Sequence, residues 1–306
     1  MKLIFMGTPE FALPTLDSIH RNHDLKAIIT QPDKPKGRRL HLSVSAVKEF
    51  ALKNNIRLIQ PKTIKNNIEL QKIVEEIRPD VIVVAAYGRI LPMWLLRLPT
   101  YGCLNLHASL LPEYRGAAPI QRAIMDGRKK TGVSTMKMAP DLDAGDVYLQ
   151  SAVDITKTDN CETLTKRLAI AGAVLVLDTL KGISEQNISA TPQDDEKATY
   201  ASKVSKAEMR IDWENDATNI SYLIRALSPR PGAYTLINNK MIKILKAELR
   251  PNDTHPPKTI ISLKNEFIIA AKDGALSLQI VKPEGKAEMS GADYGRGSRL
   301  TIGEMI

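Results

Sequence analysis

Five short apolar runs constrain the architecture of this chain more than any other feature: Leu3–Met6, Ala27–Thr30, Val81–Ala86, Cys103–Leu106 and Val133–Met138. Each has the length of a strand, and helical patterns lie between several of them. Strands alternating with helices predict an α/β fold: a Rossmann-like, mainly parallel sheet with helices on both faces. A helix from about Cys161 to Lys181 closes this domain, since Leu164, Leu168, Ala171 and Leu175 keep one apolar stripe.

The pattern then changes. Ser184 to Tyr200 is polar and broken by Pro192, and reads as a linker. At 306 residues the chain exceeds the roughly 100–200 expected of one domain. The expected division is 1–185, a linker over 186–204, and 205–306. In the last part a helix over Asn215–Leu227 stops at Ser228-Pro229-Arg230-Pro231-Gly232. Runs rich in Ile, Leu, Val and Thr follow, punctuated by Asn238-Asn239, Pro256-Pro257 and Asp273-Gly274, as in a small β-barrel or sandwich.

Composition removes several classes of protein. With 43% hydrophobic and 25% charged residues, the chain can bury a sizeable core and is not disordered. Its two cysteines, Cys103 and Cys161, have neither metal spacing nor a disulfide pattern, so no metal site is expected. The opening run Lys2–Met6 is too short for a signal-peptide core, and no later run reaches membrane-spanning length. A cytoplasmic protein without a membrane partner is expected. The net charge of +9 favours polyanionic partners.

The chemistry concentrates in Asn105-Leu106-His107-Ala108-Ser109-Leu110-Leu111-Pro112 and in Leu142-Asp143-Ala144-Gly145-Asp146. Residues two apart on a strand share a face, so Asn105 places an amide donor beside the imidazole of His107. Asp143 arrives from a loop after another strand. Amide, imidazole and carboxylate together suit acyl transfer without a nucleophilic side chain: the amide stabilises an oxyanion, the imidazole carries charge or protons, and the carboxylate orients it. His20, His23, His41 and His255 lie in surface-like contexts. The Asp141–Asp146 stretch fails as a calcium loop, because its glycine falls at the fifth position and Ala152 stands where a glutamate is required. Gly7-Thr8-Pro9 matches neither the dinucleotide nor the phosphate-loop motif, so it reads as a tight turn.

Asn-x-His-x-Ser-Leu-Leu-Pro, then Arg115-Gly116-Ala117-Ala118-Pro119-Ile120-Gln121, then Leu-Asp-x-Gly-Asp resemble the 10-formyltetrahydrofolate-dependent formyltransferases, and the likeness runs from Gly7 to Ser290. The resemblance implies an N-terminal catalytic domain and a C-terminal OB-like barrel that binds tRNA. It implies Asn105, His107 and Asp143 as catalytic residues, and Ser109, Leu110, Leu111 and Pro112 against the folate, with Tyr87, Gly88, Ile90 and Leu91 as another wall. The basic loop Lys34–Arg39 stands where members acting on tRNA contact the acceptor stem, which implies Lys36, Arg38 and Arg39 as tRNA contacts. Lys203 and Lys206 lie in a segment, Thr199–Lys206 with Ile211-Asp212-Trp213, that resembles the tRNA-acting branch specifically. The chain departs from the family pattern at Leu40–Ala46 and at Arg230. The implied reaction passes a formyl group from 10-formyltetrahydrofolate to the α-amine of methionyl-initiator tRNA for translation initiation, with no metal and no obligate protein partner. Rival readings are a folate-dependent formyltransferase for a small amine, a formyltetrahydrofolate hydrolase, and a non-catalytic RNA-binding protein on the same scaffold.

Overall fold

The computed structural model describes residues 1–36, 41–251 and 254–306. In chain order the elements are β1 (Lys2–Gly7), α1 (Leu13–Asn22), β2 (Asp24–Ile29), β3 (Lys34–Lys36), β4 (His41–Ser43), α2 (Ala46–Lys53), β5 (Leu58–Ile59) and α3 (Ile68–Ile77). Next come β6 (Val81–Ala85), α4 (Met93–Arg97), β7 (Cys103–His107), α5 (Pro119–Met125), β8 (Lys130–Lys137), β9 (Val147–Asp154) and α6 (Cys161–Ser184). The remainder holds α7 (Ala217–Leu227), β10 (Ala233–Ile237), β11 (Lys240–Arg250), β12 (Ile260–Ser262), β13 (Phe267–Ala270), β14 (Ala275–Pro283), β15 (Met289–Ser290) and α8 (Gly291–Gly297).

Seven strands form one sheet in the order β5-β2-β1-β6-β7-β8-β9. The first five run parallel, β8 runs against them and β9 pairs antiparallel with β8, which is the mainly parallel sheet expected. β6, Val-Ile-Val-Val-Ala, is buried at every residue, as a strand covered on both faces must be. Ile4, Met6 and Ile82 share a core with Leu70 and Val74 of α3 and Leu95 and Leu96 of α4. The opposite face carries Leu106, on which α6 lies so closely that a Cβ at Gly172 would come within 2.6 Å of a Leu106 methyl. The chain extends to one side of β1 and then crosses to β6, so the strand order reverses between them, where Gly7 pairs with Ala85. In open α/β sheets the crevice beyond the carboxyl ends of strands at such a switch binds ligands.

The residues cluster into two compact units. Unit 1 comprises Met1–Pro119, Lys130–Asp154 and Thr165–Ala201; unit 2 comprises Ile120–Lys129, Ile155–Leu164 and Ser202–Ile306. Of the 186–204 segment, residues as far as Ala201 thus pack within unit 1, and Thr191 pairs with Val147 of β9. Unit 2 is built on an antiparallel, curled sheet in the order β10-β11-β14-β13-β12, with β15 against β14, the small barrel-like domain expected. Its core joins Trp213, Ile220, Ile224 and Leu227 to Ile244, Phe267, Leu278 and Val281. The Trp213 indole donates to Thr235 Oγ1 at 3.0 Å, which satisfies its one polar atom. No helix among the described residues is long and apolar enough to cross a membrane.

Candidate active site

Cys103, Asn105 and His107 stand on one face of β7, and their surroundings change along it. Cys103 lies in the core under α4, its thiol donating to Leu95 O at 3.4 Å, and burial pushes that thiol up to about 12. Two residues on, Asn105 is 8% exposed, and among the described residues its side-chain amide has no hydrogen-bond partner. His107, the last residue of β7, is 6% exposed. With no partner among the described residues, the Asn105 amide keeps both its donor and its acceptor available to solvent or a ligand at this strand end.

His107 is oriented through both ring nitrogens. Nε2 lies 2.9 Å from the carbonyl oxygen of Tyr114. A carbonyl only accepts, so Nε2 carries the hydrogen and Nδ1 is the nitrogen turned toward Asp143. Asp143 Oδ2 stands 3.6 Å from Nδ1, a charge-pair distance but beyond hydrogen-bond reach. The same oxygen accepts from the Gly116 amide at 2.9 Å. The Tyr114–Gly116 loop therefore holds both members of the pair. Gly116 has φ +118°, and a Cβ there would lie 2.9 Å from Ala201 O, so this approach requires glycine.

The Asp143 turn is equally constrained. Asp143 has φ +51°, in the left-handed region that non-glycine residues seldom occupy. A Cβ at Gly145 would sit 1.8 Å from Lys137 O, so the backbone of the turn lies directly against β8. Gln193 closes it from outside: Nε2 donates to Asp143 O at 2.8 Å and to Gly145 O at 2.6 Å.

The residues expected against the folate separate into two groups. Ser109 is fully buried, and its hydroxyl donates to Glu113 O at 2.6 Å. Leu111 is buried, its amide donating to Ser134 Oγ at 3.0 Å and its carbonyl accepting from Gln150 Nε2 at 2.8 Å. Leu110 reaches over β8, where a Cβ at Gly132 would meet its methyl at 2.4 Å. Tyr87 and Leu91 belong to the core, and burial pushes the Tyr87 phenol up to about 12. By contrast Pro112 is half-buried and Gly88 and Ile90 are exposed, Ile90 at 82%. Lys203 and Lys206 are exposed. Arg38 and Arg39 lie outside the described residues, as does the side chain of Lys36. Among the described residues no group of three or more His, Cys, Asp or Glu side chains is placed to hold a metal.

Sequence reasoning did not assign Tyr114, Gly116 or Gln193 to this site. The first two act through backbone atoms, which leave no residue-type signal, although Gly116 stood within a motif already quoted. Gln193 lies in the polar stretch read as a linker.

Known proteins share this chain's sequence and fold. The family described as formyl transferase matches residues 1–180, and the formyl transferase C-terminal domain matches 203–299. The methionyl-tRNA formyltransferase of Caldanaerobacter subterraneus subsp. tengcongensis is 44% identical over 100% of both chains. That of Bacillus subtilis is 41% identical over 100% of this chain and 97% of its own. Among solved structures, the N-formyltransferase of Helicobacter canadensis, in complex with folinic acid and dTDP-3-aminofucose, superposes with a TM-score of 0.70 at 20% identity, over 91% of this chain and 98% of its own. HypX of Aquifex aeolicus, in complex with tetrahydrofolic acid, gives 0.67 at 18% identity over 96% of this chain and 46% of its own. These two likenesses concern the fold. The family rests on the full-length matches above 40% identity and on the two matched halves, and the chain belongs to the formyl transferase family, alongside the methionyl-tRNA formyltransferases.

Proposed function

We propose that this protein transfers a formyl group from 10-formyltetrahydrofolate to the α-amine of methionyl-initiator tRNA, giving N-formylmethionyl-tRNA in the cytoplasm. One observation carries the substrate assignment: identity of 41–44% to methionyl-tRNA formyltransferases over the whole chain, unit 2 included. No observation favours a small amine or plain hydrolysis.

The residues at the end of β7 fit the formyl end of such a donor. An amide with no protein partner beside an imidazole is what a formyl oxygen gaining negative charge requires. Asn105 Nδ2 would donate to that oxygen. His107, its Nε2–H committed to Tyr114, would act through Nδ1, which donates to the oxygen only when the ring carries a second proton, a charge that Asp143 nearby would balance. The amine attacks the formyl carbon only as the neutral species, so its proton must leave; Asp143 would accept it through water and return it toward the departing folate nitrogen. Pro112, Leu110, Gly88 and Ile90 would touch the folate, while Ser109, Leu111, Tyr87 and Leu91 shape the pocket wall from beneath. Lys36, Arg38, Arg39, Lys203 and Lys206 would hold tRNA phosphates, contacts that position rather than read sequence.

A formylation assay with the folate donor tests this reading when methionyl-initiator tRNA, glycinamide ribonucleotide and an amino-sugar nucleotide are offered in parallel. Formyl transfer to the tRNA with little to the small amines is expected. Preferential transfer to a small amine, or release of formate regardless of acceptor, would overturn it.

A further inference from the structure

We propose that Gln193 is a positioning residue for formyl transfer: from outside the pocket it fixes the turn that carries Asp143, and the buried cation of Arg115 fixes Gln193 in turn. The inference rests on the reading of Asp143 as a reacting carboxylate.

Chemistry dictates the orientation of the Gln193 amide. Arg115 Nε, which only donates, lies 3.0 Å from Gln193 Oε1. Asp143 O and Gly145 O, which only accept, lie 2.8 and 2.6 Å from Nε2. All three partners demand the same orientation, with the carbonyl toward arginine and both amide hydrogens toward the turn. Arg115 is 3% exposed and also donates to the exposed Asp195 Oδ1 at 2.7 Å, so the support behind Gln193 is a buried guanidinium. The held turn contains a left-handed aspartate, a conformation that persists only where the surroundings impose it.

The same segment supports the other side of His107. Thr199 Oγ1 accepts from the Tyr114 amide at 2.8 Å, and Thr199 O accepts from the Arg115 amide at 2.8 Å. Ala201 donates to Arg115 O at 2.7 Å and accepts from Ala118 at 3.0 Å. Residues 193–201 therefore tie together the two loops that bear on His107, one through the Tyr114 carbonyl and one through Asp143. Gln193 is the member of this strap that acts on the carboxylate turn.

The test compares Gln193→Glu and Gln193→Leu with Asp143→Ala and with the double variant Asp143→Ala/Gln193→Glu, in the full-length protein. Glutamate keeps the volume of Gln193 and the oxygen facing Arg115, but turns an acceptor toward two carbonyls. Both Gln193 variants should lower kcat about tenfold to a hundredfold, as expected when a reacting group is displaced by an ångström or less, with KM for the folate donor little changed. The double variant should be no slower than Asp143→Ala alone, because Gln193 acts only through that carboxylate. Should Gln193→Leu fail to fold, the near-isosteric Gln193→Glu carries the test, with its thermal transition as the control. Wild-type kcat in Gln193→Glu, or losses that multiply in the double variant, would overturn the positioning role. Wild-type turnover in Asp143→Ala would instead overturn the reading of Asp143 itself.

Discussion

At the scale of single residues, Asn105 and Ser134 contrast a polar group that the described residues leave without a partner with one that the fold serves completely. Asn105 has no partner among the described residues although it is 8% exposed. Replacing it by leucine breaks no hydrogen bond among the described residues, so Asn105→Leu should leave the thermal transition nearly unchanged. The same change should lower turnover by about 10²–10³, the usual loss of one oxyanion donor. A large loss of stability with turnover preserved would show that the amide serves the core. Ser134 is the opposite case. It donates to Ser109 O at 2.6 Å and accepts from Leu111 N and Gln150 Nε2, all at a fully buried position. Ser134→Ala strands Ser109 O and Leu111 N, while Gln150 Nε2 keeps its bond to Leu111 O, and should cost about 1–3 kcal/mol per group left unpaired, read from denaturant unfolding. The shared face of Asn105 and His107 was legible in the sequence because strand period places them there. The hydrogen on Nε2 was not, since it depends on a carbonyl seven residues later.

At the scale of elements, the interior strands were legible and the edges were not. β6 and β7 bury every residue; β6 appears as an uninterrupted apolar run, and in β7 only Asn105 and His107 break the apolar pattern. β9 is an edge strand with no buried residue, half-buried over its first part and then alternating between half-buried and exposed, and its Val-Tyr-Leu-Gln-Ser-Ala-Val-Asp sequence gives no such run. Residues 193–201 escaped for a related reason: they are held by amide, hydroxyl and guanidinium bonds rather than apolar burial, so their composition imitates a linker. A charge clamp within unit 2 makes a measurable prediction. Arg122 of α5 binds Glu208 Oε1 at 2.6 Å and Ser202 O at 3.0 Å. Arg122, helped by Ser205, holds the Glu208 carboxyl down to about 2 against an ordinary 4.5. Because the folded value is the lower one, the contribution to stability is complete above pH 4.5 and disappears as pH falls toward 2. Glu208 is 42% exposed, so solvent screening keeps the gain below about 1 kcal/mol. The stability difference between wild type and Glu208→Gln should shrink to nothing across that acid range in a denaturant series. A difference that persists at the acid end would assign the effect to packing.

At the scale of the whole molecule, chain order and compactness disagree, and the disagreement determines which fragments are viable. We expect the functional division near residues 186–204, but unit 2 also takes Ile120–Lys129 and Ile155–Leu164. A chain ending at 185 lacks the strap from Gln193 to Ala201, whereas one ending at 204 keeps it. The longer fragment should therefore bind folate more tightly and melt higher; equal behaviour would mean that the strap carries no load. A 205–306 fragment loses Arg122, and with it the Glu208 clamp, and also the carbonyls of Thr156 and Asp159 that accept from Arg225 at 3.2 and 2.8 Å. It should unfold at lower denaturant than unit 2 does in the intact chain. The net charge of +9 gives the last expectation, since it favours polyanionic partners such as tRNA. Lys203 and Lys206 are exposed, and among the described residues neither forms an ion pair, so both remain available to phosphate. Each phosphate they neutralise releases condensed counterions, which steepens the fall of affinity with salt by about one unit per contact. Lys203→Ala and Lys206→Ala should each flatten that slope by about this amount and raise KM for methionyl-initiator tRNA, with KM for the folate donor unmoved. A slope and tRNA KM identical to wild type in both variants would mark these lysines as solvated surface charge and move the phosphate contacts elsewhere in the chain.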